Sequence, residues 1–319
     1  MEVVDNCSIV IPVYNSESSL GILIDQLDQD LSTMCKEFEI ILVNDGSCDG
    51  SWEAINNLVN DHPWVHGINL MRNYGQHNAL LCGIRAAKYP ITVTMDDDLQ
   101  HPPSQIRLLL DKLDEGYSVV YGTPINEQHG IWRDLSSQIT KLVLQGAMGA
   151  QTARKVSAFR VFRTELRNSF ASYNGSFVSI DVLLTWGTTN FASIPVQHDP
   201  RRIGVSNYSL KKLVTHAINL MTGFSTLPLQ FASLSGFFFA FTGMIVLFYV
   251  VGRYLIQGGS VQGFPFLAST IAIFSGAQLF ALGIIGEYLA RMHFRLMDKP
   301  SYTVLGKADI SLKAMTTKG

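Results

Sequence analysis

From Leu213 to Gly252 the chain carries not one Asp, Glu, Lys or Arg. A stretch this apolar has to leave water, into a protein core or into a bilayer. Phe264–Gly286 is a second uncharged stretch, set off by the break Gln257-Gly258-Gly259-Ser260. Two such stretches in succession favour a hairpin of membrane helices, at 226–254 and 264–288, over a buried core helix. Lys211 and Lys212 precede the hairpin, and Arg291, Arg295 and Lys299 follow it. The connecting loop has no Lys or Arg, although Arg253 sits near its start. The positive-inside rule then puts residues 1–208 and the tail 289–319 in the cytoplasm. Between 209 and 225, Leu210, Leu213, Val214, Ala217, Leu220, Met221 and Phe224 share one helical face. Two readings are open there: an amphipathic helix in the membrane interface, or a helix packed on the soluble part.

Residues 1–208 have a different pattern, short apolar runs alternating with helical ones. Strands are expected at Cys7–Val13, Phe38–Val43, Val65–Met71, Ile91–Met95 and Ser118–Gly122. Helices are expected after the first strand, with Leu20, Leu23, Ile24, Leu27 and Leu31 at helical spacing, and then at 52–59, 76–88 and 106–114. Alternation of this kind means βαβ units and a mostly parallel sheet, whose ligands sit outside the carboxyl ends of the strands. The net charge of −2 implies no general affinity for nucleic acid. The four cysteines, Cys7, Cys35, Cys48 and Cys82, are scattered and are expected to be reduced thiols. The eight histidines show no metal-ligand spacing, and the N-terminus has no signal-peptide pattern.

The polar clusters fall at the expected strand ends: Tyr14-Asn15, Asn44-Asp45-Gly46-Ser47 and Asp96-Asp97-Asp98. In an extended chain alternate side chains point the same way, so Asp96 and Asp98 can converge while Asp97 faces elsewhere. Converging carboxylates call for a cation, and oxygen ligands suit Mg²⁺ or Mn²⁺, with Gln100 offering another oxygen. A solvated acidic turn before Pro102-Pro103 is the other reading of this segment. Asp45 can accept hydrogen bonds from a nucleobase or ribose, or it can cap the helix at Trp52, a task Asp49 could equally perform. His77 can make a local cap or touch a donor phosphate. His101 can pack against the prolines or act directly.

At this point the residues resemble a family. Ile11-Pro12-Val13-Tyr14-Asn15, Val43-Asn44-Asp45-Gly46-Ser47, Arg72-Asn73-Tyr74-Gly75-Gln76-His77 and Asp96-Asp97-Asp98-Leu99-Gln100-His101-Pro102-Pro103 occur in the order and spacing of glycosyltransferase family 2. The resemblance is to its polyprenyl-phosphate branch, that of dolichyl-phosphate mannose synthase, bactoprenol glucosyltransferase and undecaprenyl-phosphate aminoarabinose transferase. Gly283-Ile284-Ile285-Gly286-Glu287-Tyr288-Leu289 looks like the end of the hairpin of the last two. The resemblance implies an α/β GT-A domain (Rossmann-like, mostly parallel), then the interfacial helix and the two-helix hairpin. It implies a donor site of Pro12, Tyr14, Glu17, Asp45, Asp96 and Asp97, with Asp96 and Asp98 as catalytic residues. Asp98 and Gln100 would hold Mg²⁺ or Mn²⁺ on the donor diphosphate. The implied reaction transfers a sugar, with inversion, from a nucleotide sugar, UDP-linked in first place, to undecaprenyl phosphate for cell-envelope glycan modification. It would take place at the cytoplasmic face of a bacterial inner membrane, in a homo-oligomer, a tetramer by resemblance.

The sequence departs from the family at one informative position. Aminoarabinose transferases have an Asp about sixty residues after the acidic motif, and here Val156-Ser157-Ala158-Phe159-Arg160 puts Ala158 there. A phosphate monoester has a second pKa of about 6 and is already a nucleophile at neutral pH, so no general base is assigned. Holding that dianion needs cations, and Arg133, Arg160, Arg201 and Arg202 are the candidates, against surface ion pairs as the plainer role. Asn207 replaces the usual Lys of Arg-x-x-Gly-x-Ser-Lys-Tyr, and Pro124 stands where many relatives have Arg. The rival readings are a processive polysaccharide synthase, a non-catalytic nucleotide-sugar-binding scaffold and a sugar-lipid flippase. The first lacks its Gln-x-x-Arg-Trp here, and two spans are few for the last.

Overall fold

A computed structural model of the chain describes residues 6–124, 156–175, 177–199, 226–257, 263–297 and 299–309. The chain divides into two compact units, one of Met1–Thr215 with Asp298–Gly319 and one of His216–Met297.

The first unit carries strands β1 (Cys7–Val13), β2 (Phe38–Asn44), β3 (Val65–Leu70), β4 (Ile91–Thr94), β5 (Val119–Pro124), β6 (Arg160–Arg163), β7 (Phe191–Val196) and β8 (Val304–Ala308). Helices α1 (Glu17–Met34), α2 (Ser51–Asp61), α3 (Gln76–Ala86), α4 (Ile106–Asp114) and α5 (Ile180–Gly187) accompany them. All eight strands form one sheet in the order β7-β5-β6-β4-β1-β2-β3-β8. β1 lies parallel between β2 and β4, and β2 runs parallel to β3. β6 is antiparallel to β4 and β5, and β8 is antiparallel to β3.

The composition of the strands explains this arrangement. Every residue of β1 is buried, as suits a central parallel strand covered on both faces. Leu20, Leu23, Ile24, Leu27 and Leu31 form the buried stripe of α1. The one polar residue inside β1, Ser8, donates to the buried Glu39 carboxylate at 2.7 Å. From β1 the chain winds out to β2 and β3 on one side and returns to β4 on the other. That reversal opens a crevice at the carboxyl ends of β1 and β4, where α/β sheets place their ligands.

In the second unit α6 (Leu227–Gln257) and α7 (Phe264–Leu296) pack together as a hairpin. The Phe239 and Phe274 rings meet edge-on, 6.0 Å between centroids. Both helices are long and apolar enough to cross a membrane, and Phe237, Phe241, Leu247 and Leu279 among others are exposed on them. The second helix outlasts the expected 264–288. Its polar continuation is stabilised at helical spacing, where Arg291 pairs with Glu287 at 2.8 Å. Of the tail expected over 289–319, the first residues end α7, and Val304–Ala308 form β8, which joins the sheet beside β3. The amphipathic helix expected at 209–225 lies outside the described residues.

Candidate active site

Asp45 follows β2 and is 3% exposed. Its Oδ1 accepts the Tyr74 N–H at 2.7 Å and its Oδ2 the Gly75 N–H at 2.8 Å. Burial pushes its pKa up, and the two amides act against that shift. Gly46 has φ +63°, and a Cβ there would lie 2.4 Å from the Arg72 carbonyl carbon. Only glycine lets the loop after β2 back so closely onto the loop 71–75. The turn before α2 is set by Asp49 and not by Asp45: Asp49 Oδ1 accepts the Ser51 N–H at 3.1 Å, two residues on. Glu17 serves the same turn: its Oε2 accepts the Gly50 N–H at 3.1 Å, at the start of α2. Pro12 is buried within β1, while Tyr14, just beyond that strand, leaves 43% of its surface exposed at the crevice.

The acidic motif is bent, not extended. β4 stops at Thr94, and Leu99 takes a left-handed φ of +58°. The expectation that Asp96 and Asp98 converge rested on an extended chain that ends before them. The three side chains reach three neighbours. Asp96 Oδ1 accepts from Gln76 Nε2 at 2.5 Å, at the first turn of α3. Asp97 Oδ2 accepts the Tyr14 N–H at 3.3 Å, bridging the β4 and β1 ends across the crevice. Burial pushes the Asp97 pKa up, while the Ser16 hydroxyl and the Tyr14 amide oppose that shift. Asp98 Oδ1 accepts the Gln100 N–H at 3.2 Å, an Asx turn that sets the loop.

Gln100 donates through Nε2 to the Asp199 carbonyl at 3.4 Å, and its own carbonyl accepts the Asp199 N–H at 2.8 Å. The remaining polar atom of its side chain, Oε1, is an acceptor. Among the described residues no group of three or more His, Cys, Asp or Glu is placed to hold a metal. The Asp98 carboxylate and the Gln100 amide oxygen are oxygen donors on one loop, the ligand type that Mg²⁺ takes. Such an ion normally takes its other ligands from water and substrate phosphate.

Of the candidates for the acceptor phosphate, Arg160 lies within the described residues. Arg160 is 1% exposed and pairs with Asp181, while its Nε donates to Thr94 Oγ1 at 3.0 Å. The Tyr121 hydroxyl donates to the same Asp181 oxygen at 3.1 Å. Arg160, the first residue of β6, is thus a buried strut tied to Thr94 and Asp181, and the expectation of an open phosphate contact there is corrected. Burying a guanidinium requires such a partner, and Asp181 was not read as one from the sequence. Arg133, Arg201 and Arg202 lie outside the described residues. Ala158 sits beside the acidic motif, its carbonyl accepting the Thr94 hydroxyl at 2.8 Å.

His101 stacks on Phe159 at 4.9 Å and meets His198 edge-on at 4.8 Å. Burial pushes its pKa down to about 4, so it is neutral at physiological pH. His77 Nδ1 accepts the Ile180 N–H at 3.3 Å, tying the start of α3 to that of α5. Gln76, Ser16 and Asp181 are the site partners the sequence reading missed. Gln76 had a signal, its place inside the Arg-Asn-Tyr-Gly-Gln-His motif.

The sequence pattern of glycosyl transferase family 2 matches residues 8–171. A Pectobacterium carotovorum subsp. carotovorum (strain PC1) protein is 32% identical over 305 residues, covering 94% of this chain and 93% of its own. It is named undecaprenyl-phosphate 4-deoxy-4-formamido-L-arabinose transferase. A protein of the same name from Yersinia pestis (strain Pestoides F) is 33% identical over 307 residues, covering 95% of this chain and 94% of its own. The crystal structure of Mycobacterium tuberculosis glucosyl-3-phosphoglycerate synthase with phosphoglyceric acid superposes with a TM-score of 0.50 at 19% identity. It covers 68% of this chain and 78% of that one, a likeness of fold alone, the GT-A fold.

Proposed function

The chain belongs to glycosyltransferase family 2, and from that membership we propose that it transfers a sugar from a nucleoside diphosphate, UDP-linked in first place, to polyprenyl phosphate with inversion. The observation that carries this reading is the convergence of four motif loops on one sheet edge, in a chain that also holds a hairpin of exposed apolar helices.

Each residue has a task in this reading. Tyr14 offers the donor an exposed ring beside the loops that Asp45 and Asp97 hold in place. Pro12 and Glu17 shape the same wall from behind. Asp96, oriented by Gln76, faces the donor with Asp98. Asp98 and Gln100 would hold Mg²⁺ or Mn²⁺. When bound, that ion stabilises the negative charge that grows on the departing nucleoside diphosphate, most strongly in the transition state.

The acceptor brings its own nucleophile. Its second pKa of about 6 leaves it largely dianionic at neutral pH, so it needs to be held in line and not deprotonated. Ala158 accords with that, since it supplies no carboxylate beside the acidic motif. With Arg160 withdrawn from solvent, the cations for the acceptor are Arg133, Arg201 and Arg202. The lipid tail of the acceptor suits an enzyme anchored by its hairpin in a bacterial inner membrane, with the catalytic domain on the cytoplasmic side. The assembly proposed is a homotetramer.

Purified full-length protein tests this reading. With undecaprenyl phosphate, a divalent cation and a panel of labelled UDP- and GDP-sugars, it is expected to form an organic-soluble product. Asp98→Ala is expected to lower turnover by about 100-fold, the scale of losing one transition-state electrostatic contact. Unchanged turnover in that variant would remove the metal role.

A further inference from the structure

The four cysteines are free thiols, scattered in sequence, and the fold brings two of them together. Cys7 opens β1, and Cys35 follows the last turn of α1. Their Sγ atoms lie 2.8 Å apart in a buried contact. Cys7 is 0% exposed and Cys35 5%. Of the others, Cys48 is exposed and Cys82 is buried on α3.

Packing alone does not account for this approach. Non-bonded heavy atoms settle about 3.5–4.0 Å apart, so two cysteines that only filled the core would keep their sulfurs further from each other. The backbone holds both residues in place. The Cys7 N–H donates to the Glu37 carbonyl at 3.2 Å, and Cys7 pairs in register with Phe38, just after Cys35 in the chain. The Cys35 N–H donates to the Leu31 carbonyl at 2.9 Å, at the end of α1. A disulfide bond is about 2 Å long, so the two sulfurs need to close by less than about 1 Å.

The two thiols are not equivalent. The hydrogen bond from Cys7 and the Arg107 charge hold the Cys35 pKa below the usual thiol value, against burial. The same contact, with burial, pushes the Cys7 pKa up. Cys35 also adjoins the exposed Lys36 and Glu37, at a helix end, where helices fray. Thiolate character and access, which a small oxidant needs, are both on the Cys35 side.

We propose that Cys7 and Cys35 are a dithiol modification site, which hydrogen peroxide converts into a disulfide tying the end of α1 to the start of β1. The Cys35 thiolate attacks one peroxide oxygen, the O–O bond breaks and hydroxide leaves, so that Cys35 becomes a sulfenic acid. The Cys7 sulfur then attacks the Cys35 sulfur and the S–O bond breaks. The departing hydroxide takes the Cys7 proton and leaves as water. In sum two thiols and one peroxide give one disulfide and two waters, and the two electrons lost by the sulfurs reduce the peroxide. A thiol reductant reverses the change. The pair lies at the amino end of β1, whereas the crevice lies at the carboxyl end, so the inference stands apart from the reaction proposed above.

The test uses the full-length chain carrying Cys48→Ser, which removes the exposed thiol. The folded protein is treated with hydrogen peroxide, quenched with catalase, denatured and alkylated, and free thiols are counted by mass spectrometry. The count is expected to fall from three to one, with the remaining thiol on Cys82. A peptide linking Cys7 to Cys35 is expected to appear and to vanish with dithiothreitol. Adding Cys7→Ser removes the resolving thiol, and Cys35 is then expected to go on to the sulfinic acid. Adding Cys35→Ser is expected to leave Cys7 unmodified at the same dose. The thiol count needs neither serine in the core, so it stands where those variants fail to fold. Three thiols remaining, at a peroxide dose that oxidises Cys48 in the wild-type chain, overturns the inference. So does a sulfinic acid on Cys35 while Cys7 is present, or a linked peptide that joins Cys82 to either cysteine.

Discussion

Asp45 keeps its carboxylate where burial opposes the charge, because two backbone amides need an acceptor there. Its raised pKa has a definite sign in pH. The folded state binds this proton more tightly than the unfolded chain, so Asp45 contributes less to stability as pH rises through that interval. The loop, in contrast, needs the ionised form, since a protonated carboxyl turns one acceptor into a donor. Nucleotide affinity is expected to be full at neutral pH and to fall on acidification, with a midpoint above the ordinary aspartate range. A titration of UDP affinity against pH checks this, and a midpoint at or below that range would contradict it. Arg160 gives a second expectation. Arg160→Met strands Asp181 without its cation, at a cost of about 3–5 kcal/mol of stability. Thermal or denaturant unfolding reads that loss. An unchanged unfolding curve with a raised acceptor KM would instead restore Arg160 to the phosphate. The sequence showed a conspicuous Arg beside Ala158, but not that Asp181, 21 residues on, would bury it. That partner is set by tertiary packing, which periodicity does not record.

Among the elements, β1, β2 and β4 were legible because strands buried along nearly their whole length read as mainly apolar and β-branched runs. The loops after them were legible because polar residues cluster directly after each apolar run. The bend at Asp97–Leu99 was not, because an Asx turn and one left-handed residue leave no hydrophobic signature. β8 was missed too. Its burial alternates along Val304-Leu305-Gly306-Lys307-Ala308, and an edge strand of this composition resembles a polar tail. β6 is short and runs antiparallel into the sheet, between β4 and β5. The close packing of two loops at Gly46 carries its own expectation. Gly46→Ala would force a left-handed alanine against the Arg72 and Asn73 backbone. The loop 71–75 must then shift, and UDP affinity is expected to fall by at least about tenfold. Calorimetric titration of the folded variant would show it, and wild-type affinity would mean that the two loops need not touch.

At the scale of the molecule, a GT-A sheet and a hairpin of apolar helices share one chain, and the chain re-enters the sheet after the hairpin. The uncharged blocks made the hairpin legible by composition alone. The return of the chain to the sheet was not, because it depends on pairing with a strand more than 200 residues earlier. The central proposal joins the two parts: a soluble sugar donor meets a lipid that carries its nucleophile as a phosphate. A direct measurement offers the full-length enzyme undecaprenyl phosphate and undecaprenol side by side, with the donor that supports turnover. Product is expected from the phosphate alone, because Ala158 leaves no carboxylate at the family base position to activate an alcohol. Equal transfer to undecaprenol would contradict the proposal.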